Sequence, residues 1–476
     1  LIPEWLTLEN TNGDIHYYGQ AKQEEIRAFV KQANPDTLIL PLINNYNSEK
    51  KMWDVDKLIT TLSNPESRQM LIDNLYEFSG MNGFDGIHVD FQDIPQDKQI
   101  HVETFMKELY EQFHRKGYIV SQSAPLDNSS INYKNLIDSV DYLILLGYDE
   151  HWSTSKPGPV SSQSWYTDGL YKRFQEIPSE KVIVALGNYG YDWSENNEPA
   201  RSVTYQDIVL LAGQYDSTLE FSTTTLNPHF TYTDEHNLTH QVMYLDGVTL
   251  YNQIKVGEIF QPKGYAVWRL GSEDPSAWKV FKNAGQLSTE TAEDIRSIPT
   301  GYGIEYLGYG EIMKIKETPQ PGSREVWVDP DTELIFNENM MSLNTPYIIE
   351  RFGKADNKTL VLTFDDGPDE QYTPQVLDIL DQYGIKATFF VIGSRAAQHQ
   401  GLVREIIAQG HELGNHTYTH PDISRISETQ LELEVNASQK LLETITGRSI
   451  LLFRAPYGRD THPEKISEIQ ALRTVS

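Results

Sequence analysis

The chain has 476 residues, a formal net charge of −29, 39% hydrophobic residues, 11% aromatic residues with 27 Tyr, and no cysteine. That length exceeds one ordinary core and predicts two or more domains. The charge argues against nucleic acid or an anionic membrane surface as partner, and the lack of Cys excludes both a disulfide framework and a thiolate metal site.

No run of 18 or more apolar residues interrupts the sequence, and Leu1 does not open a signal peptide. Both ends read as internal to a longer protein. From residue 1 to about 285 short apolar runs alternate with helical patterns. Strands are expected at "LIPEWLTL", "TLILPLI" (37–43), "GIHVDF" (86–91), "YIVSQSA" (118–124), "YLILLGY" (142–148), "VIVALGN" (182–188) and "GYAVWRLG" (264–271). One helix is well marked: Asn64 caps it, Pro65 takes its first position, Leu71, Leu75 and Phe78 share a face, and Gly80 ends it. This alternation predicts a parallel α/β architecture. Seven strands are one short of an eight-stranded barrel, and a first strand upstream of Leu1 would complete it.

Residues 200–255 break the rhythm. "LEFSTTTLNPHFTYTD" and "HQVMYLDGVTLYNQI" read as strands of a β-rich insertion before the last barrel strand. Residues 289–352 read as a β-rich connecting module, with Tyr, Ile and Trp too frequent for disorder. A second α/β unit is expected from residue 353 to 476, with a strand at "TLVLTFDD", a helix whose apolar face carries Val376, Ile379, Leu380 and Tyr383 before Gly384, and a strand at "KATFFVIG". The first unit would then span 1–288.

Three clusters carry chemistry in the second unit: "TFDDGP" (363–368), "HTYTH" (416–420) and "FRAPYG" (453–458). Asp365 and Asp366 are adjacent at a strand end, cannot both point the same way, and can take different tasks. His416 and His420 are four apart, which on a helical turn puts both imidazoles on one face. Two His and one Asp leave open positions on a divalent ion, where water can be activated.

In this order and spacing, and continued by "GHELGNHTYTH", these clusters resemble the NodB-homology polysaccharide deacetylases of carbohydrate esterase family 4. The resemblance implies hydrolysis of N-acetyl groups on a GlcNAc-containing glycan. Asp365 would be the general base, Asp366, His416 and His420 would hold Zn²⁺ or a similar ion, Arg454 would orient the base, and the backbone around Tyr457 would help stabilise the oxyanion. His411 is expected to be structural. The family's later Leu-x-His, which supplies the general acid, should lie beyond residue 480, and His462 does not match it.

In the first unit, "DGIHVDFQ" (85–92) places His88, Asp90 and Gln92 on one strand face and Asp85, Ile87 and Val89 on the other. The stretch resembles the D-x-x-D-x-D-x-E signature of family 18 glycoside hydrolases, with His88 replacing the second Asp and Gln92 the Glu. "LPLINNY" (40–46), "GYD" (147–149) and "AVWRLGSED" (266–274) fit further landmarks of that family in order. The resemblance implies a (β/α)8 TIM-type barrel and a substrate-assisted mechanism. Asp90 would orient the acetamide, Tyr148 would hydrogen-bond it, Trp268 would floor the subsite, and Asp149 and Asn44 would join the sugar-binding set. Gln92 stands at the proton donor's position, but an amide has no acidic proton. Two readings of Gln92 stay open: a natural loss of hydrolysis with binding retained, or a Glu→Gln replacement that traps substrate. The combined layout resembles bacterial cell-surface proteins that also carry a glycosyltransferase, so a membrane anchor or such a domain is expected outside this chain.

Overall fold

The computed structural model describes residues 1–196, 198–301, 304–356 and 358–458, so His462 lies outside the described residues. The chain divides into two units, Leu1–Tyr302 with Gln320–Asn344, and Gly303–Pro319 with Thr345–Ser476.

In the first unit seven parallel strands lie side by side in chain order: Glu4–Leu8, Leu42–Asn44, Gly86–Asp90, Ile119–Pro125, Tyr142–Leu146, Val182–Gly187 and Gly264–Trp268. These are the seven expected strands of a TIM-type α/β barrel. An eighth member of the sheet, Ile15–Tyr17, runs antiparallel on the outer edge of Glu4–Leu8. Gly86 opens the central strand because a Cβ there would sit 1.9 Å from the Ile119 carbonyl oxygen. Ile87 and Val89 are fully buried and share one core with Leu71, Leu75, Phe105 and Leu109.

The helix Pro65–Asn82 begins as predicted, with Asn64 Oδ1 accepting from the Glu66 and Ser67 amides. It ends at Gly83, not Gly80. Gly83 adopts φ 62°, the left-handed turn that closes a helix, whereas Gly80 stays helical. The insertion forms a five-stranded antiparallel sheet built from Tyr189–Ser194, Arg201–Thr204, Glu220–Ser222, Asn227–Thr233 and Thr239–Tyr244. "GVTLYNQI" is a helix, Gly247–Gly257, rather than the expected strand. Asp246 caps it and nearly every side is buried, so its composition mimics a core strand.

Residues 289–352 are β-rich as expected but are shared between the units. The hairpin Gly322–Val328 with Ile335–Ser342 belongs to the first unit. There Arg324, with no exposed side-chain surface, bonds Asp246, Asp274 and Glu338 and also Ser276. A buried guanidinium among carboxylates is tolerated only when so enclosed.

The second unit holds a three-stranded sheet, Ile304–Gly308, Tyr347–Phe352 and Ile312–Glu317, and a parallel sheet, Thr363–Gly367, Thr388–Val391, Glu412–Asn415 and Leu452–Phe453. The helix Tyr372–Gln382 turns Thr373, Leu377 and Leu380 inward, while Ile379 and Tyr383 are exposed. Its buried face is therefore rotated from the predicted one, because the 373, 377, 380 spacing satisfies a helical stripe equally well. Among the described residues no helix is long and apolar enough to cross a membrane.

Candidate functional site

In the barrel the candidate residues gather at the C-terminal ends of the parallel strands, as the strand register requires: Asn44 pairs with Asp90, and Trp268 with Gly187. The strand Gly86–Asp90 ends at Asp90, and Gln92 follows in an irregular segment pinned by Asn45, which accepts from the Gln92 amide at 2.9 Å and donates to its carbonyl at 3.2 Å. From there the Gln92 Nε2 donates to Asp90 Oδ1 in a short contact. Burial pushes the Asp90 carboxyl up to about 6, against the hydrogen bond from Gln92 that pulls it down. His88 is buried, touching Ser121 Oγ through Nδ1 at 2.9 Å and Ser123 Oγ through Nε2 at 2.8 Å, and burial holds it down to about 3. It is a neutral imidazole at any ordinary pH.

Asp85 lies at the other end of the strand, accepting from the Ile39 amide at 2.8 Å and from Lys31 at 3.3 Å. It braces the barrel floor and takes no part in the site. Asp93 adopts φ 61° beyond the strand's end, so strand parity does not govern it. Tyr148 is pushed well up by burial and by the Asp90 and Asp149 carboxylates, and so stays a phenol that can donate. Asp149 accepts from both Tyr189 and Tyr191, the latter at 3.1 Å. Asn44 donates to Glu4 at 2.8 Å. Trp268 packs with Tyr148 against Tyr189, Tyr191 and Trp193, and its carbonyl accepts from the Asn188 amide at 3.0 Å. The strand ends thus bring aromatic rings, a buried carboxylate and a phenol together, groups that can stack on and hydrogen-bond a polar ligand.

In the second unit Asp365 and Asp366 part at the end of their strand. Asp365 Oδ1 accepts from Arg454 Nη1 at 2.8 Å, which also donates to Thr363 Oγ1 at 2.9 Å, and the Arg454 guanidinium lies 4.1 Å over the Phe390 ring. Asp366 takes φ 67° and turns Oδ1 to 3.3 Å from His416 Nε2 and 3.0 Å from His420 Nε2. The ligand atoms of these three residues lie within 4.8 Å of one another. His416 donates from Nδ1 to the Arg454 carbonyl at 2.7 Å, which leaves Nε2 bare and facing Asp366. Two imidazole nitrogens and a carboxylate oxygen form a donor set that fits a divalent ion. Tyr457, exposed and at φ 62°, sets its ring 4.9 Å from that of His420.

His416 and His420 do not lie on a helical turn. They belong to a loop in which Thr417 and His420 take φ 64° and 66°. The sequence pattern does not reveal what holds that loop: Glu434, buried on the helix Glu428–Thr446, accepts from the Tyr418 and Thr419 amides at 2.9 and 2.6 Å and from the Thr419 hydroxyl. Arg395 donates to the Asp366 carbonyl at 2.6 Å. His411 stands apart, its Nδ1 accepting from the Ala387 amide at 3.2 Å. Asn45, Ser121, Ser123 and Glu434 were missed because their partners lie 15 to 47 residues away in the chain. The polar run "SQS" (121–123) within a core strand was the one available signal.

Residues 4–273 match the family description for glycosyl hydrolases family 18, and residues 352–472 match that for polysaccharide deacetylases. The chain is 25% identical over 280 residues to the cortical fragment-lytic enzyme of Bacillus subtilis, covering 56% of this chain and 64% of that one. It is 46% identical over 103 residues to a peptidoglycan-N-acetylglucosamine deacetylase of Bacillus cereus, covering 22% and 48%. The chain thus spans less than two thirds of the length of either relative. A chitinase structure from Chromobacterium violaceum superposes with a TM-score of 0.54 at 20% identity, over 60% of this chain and 91% of that one, a likeness of fold. With more than half its length matched by that family description, the chain belongs to the glycosyl hydrolases of family 18, followed by a polysaccharide deacetylase domain.

Proposed function

We propose that the chain removes N-acetyl groups from a GlcNAc-containing polysaccharide at the site built by Asp365, Asp366, His416, His420, Arg454 and Tyr457, and that the family 18 barrel grips the same kind of polymer. The observation carrying this is the division of labour between adjacent carboxylates: Asp366 meets both imidazoles while Asp365 is held by Arg454 at 2.8 Å. The deacetylase named among the relatives supports the substrate class. Asp366, His416 and His420 would hold a divalent ion, Zn²⁺ in this proposal, which when bound would supply Lewis acidity. Asp365 accepts the proton of the attacking water, and Arg454 aims that carboxylate. The backbone beside Tyr457 faces the developing oxyanion. The work would be done outside a bacterial cell, on its wall or a surface glycan.

The test is acetate release from chito-tetraose, (GlcNAc)4, and from peptidoglycan by the full chain with added Zn²⁺. Release should stop with chelator and fall about 10²–10⁴-fold in Asp365→Asn, the usual worth of a general base. No release with any divalent ion would sink the reading.

For the barrel, the Gln92–Asp90 hydrogen bond favours binding over cleavage. Gln92 occupies the place of a proton donor and has none to give. In this reading Asp90, Tyr148, Asp149, Asn44 and Trp268 hold the glycan. Calorimetry with (GlcNAc)4 should show saturable binding that Trp268→Ala abolishes.

A further inference from the structure

Arg454 reaches farther than its place in the sheet suggests. Among the described residues it follows Leu452–Phe453, one edge of the four-stranded parallel sheet, while Asp365 lies on Thr363–Gly367, the other edge. Were the sheet flat, the three gaps between its strands, about 4.8 Å each, would part those edges by roughly 14 Å. An arginine side chain does not span that distance. The 2.8 Å contact between Arg454 and Asp365 therefore requires a curled sheet and a side chain led across it.

The residues that lead it are in between. Phe390 is buried and pairs across the sheet with Gly414. A Cβ on Gly414 would come within 2.4 Å of Phe390 Cδ1, so the glycine is what lets the ring lie over the neighbouring strand. The Arg454 guanidinium rests 4.1 Å over that ring. At its tip, Nη1 donates one hydrogen to Asp365 Oδ1 at 2.8 Å and the other to Thr363 Oγ1 at 2.9 Å. Thr363 and Asp365 are two apart on one strand and so reach the same nitrogen. The main chain of Arg454 is fixed as well: its amide donates to the Asn415 carbonyl at 3.0 Å, and its carbonyl accepts from His416 at 2.7 Å.

We propose that Phe390 and Thr363 are positioning residues of the deacetylase site: the Phe390 ring, laid over Gly414, is a shelf for the Arg454 guanidinium, and the Thr363 hydroxyl pins its tip. Both act through Arg454 on Asp365, and the proposal rests on the reading of Asp365 as the base. The pair needs such help. The side chains of Arg454 and Asp365 are 36% and 39% exposed, and an ion pair so placed holds its geometry loosely by itself. A ring beneath the fork and a second acceptor beside the carboxylate leave the guanidinium one orientation.

The test uses the full chain with added Zn²⁺ and (GlcNAc)4 as substrate. Thr363→Val keeps the shape and removes the acceptor. Its kcat for acetate release should fall about tenfold with KM unchanged, the lower end for a hydrogen bond to a charged group, and Thr363→Ser should recover to within about twofold of wild type. Phe390→Leu should lose about threefold, as a cation–π contact at a partly exposed site does. Zn²⁺ affinity, read by competition with a chelating dye, should stay at the wild-type value in each variant, which separates loss of aim from loss of the ion. In an Arg454→Met background the effect of Thr363→Val should vanish, because its partner is gone. A second measurement needs no substrate: in ¹³C,¹⁵N-arginine-labelled protein, rotation of the Arg454 guanidinium about its Cζ–Nη1 bond should be slow, and Thr363→Val should free it. Wild-type kcat in Thr363→Val, no recovery in Thr363→Ser, an equal loss with and without Arg454, or a freely rotating guanidinium in the wild type would overturn the proposal. If the wild type releases no acetate, the base reading fails, and the guanidinium spectra still decide whether Thr363 pins Arg454.

Discussion

Gln92 and Asp90 sit two residues apart, and the amide of one donates to the carboxylate of the other. If the barrel grips glycan as proposed, Gln92→Glu puts an O–H acid within reach of a bound sugar's glycosidic oxygen. (GlcNAc)4 hydrolysis, followed by chromatography of shorter oligomers, should then rise about 10²–10⁴-fold, the usual worth of general-acid help. No cleavage by Gln92→Glu would mean the barrel has lost more than its acid. Asp90 also carries a cost. Its carboxyl is raised from 3.8 to about 6, so the unfolded chain releases the proton more readily, and stability from this group is lost as pH rises through that window. Asp90→Asn should therefore add up to about 3 kcal/mol of stability at pH 7, read as a higher melting temperature. The gain should vanish below pH 4, where the carboxyl is protonated in both states. The shared face of His88 and Asp90 was legible from a period of two, whereas Gln92 lies past the strand's end, where Asn45 holds it. Ser121 and Ser123 were not, because which residues lie across from His88 depends on strand register.

At the scale of the element, the loop His416–His420 shows why spacing can mislead. Two residues four apart suggested a helical turn, yet left-handed backbone at Thr417 and His420 brings the imidazoles together instead. The Glu434 carboxylate, only 8% exposed, replaces the missing helical hydrogen bonds by accepting the loop's amides. Glu434→Gln should weaken metal binding about 10–100-fold, the range for groups that orient ligands, as read by competition with a chelating dye. Arg395→Ala, which removes only a donor to the Asp366 carbonyl, should show a smaller loss. An unchanged affinity in Glu434→Gln would make the carboxylate a packing group. The helix Gly247–Gly257 failed in the opposite sense: burial on nearly all sides erased the periodicity by which a helix is read.

At the scale of the whole molecule, the barrel unit takes in the hairpin of residues 320–344, well past the end of the family match at 273. Arg324 fastens it to Asp246 and Asp274 beneath the segment that follows Trp268. Arg324→Met would leave three buried carboxylates without their cation and should cost about 3–5 kcal/mol in urea unfolding. For the same reason a chain cut after residue 288 should unfold earlier in urea than one cut after residue 344. Equal midpoints would show that the hairpin is dispensable. Nothing in residues 289–352 announces this split, because both halves are ordinary β sequence.

What the sequence determined by itself is whatever local rules enforce. Strand and helix alternation, the cap at Asn64, and the identity of the carboxylates and imidazoles all follow from periodicity and residue chemistry over a few neighbours. Tertiary structure alone decided which hydroxyl meets His88, which carboxylate braces the histidine loop, and which unit Arg324 serves. Those contacts join residues far apart in the chain, and for His88 a one-residue change of strand register would put different side chains across from it.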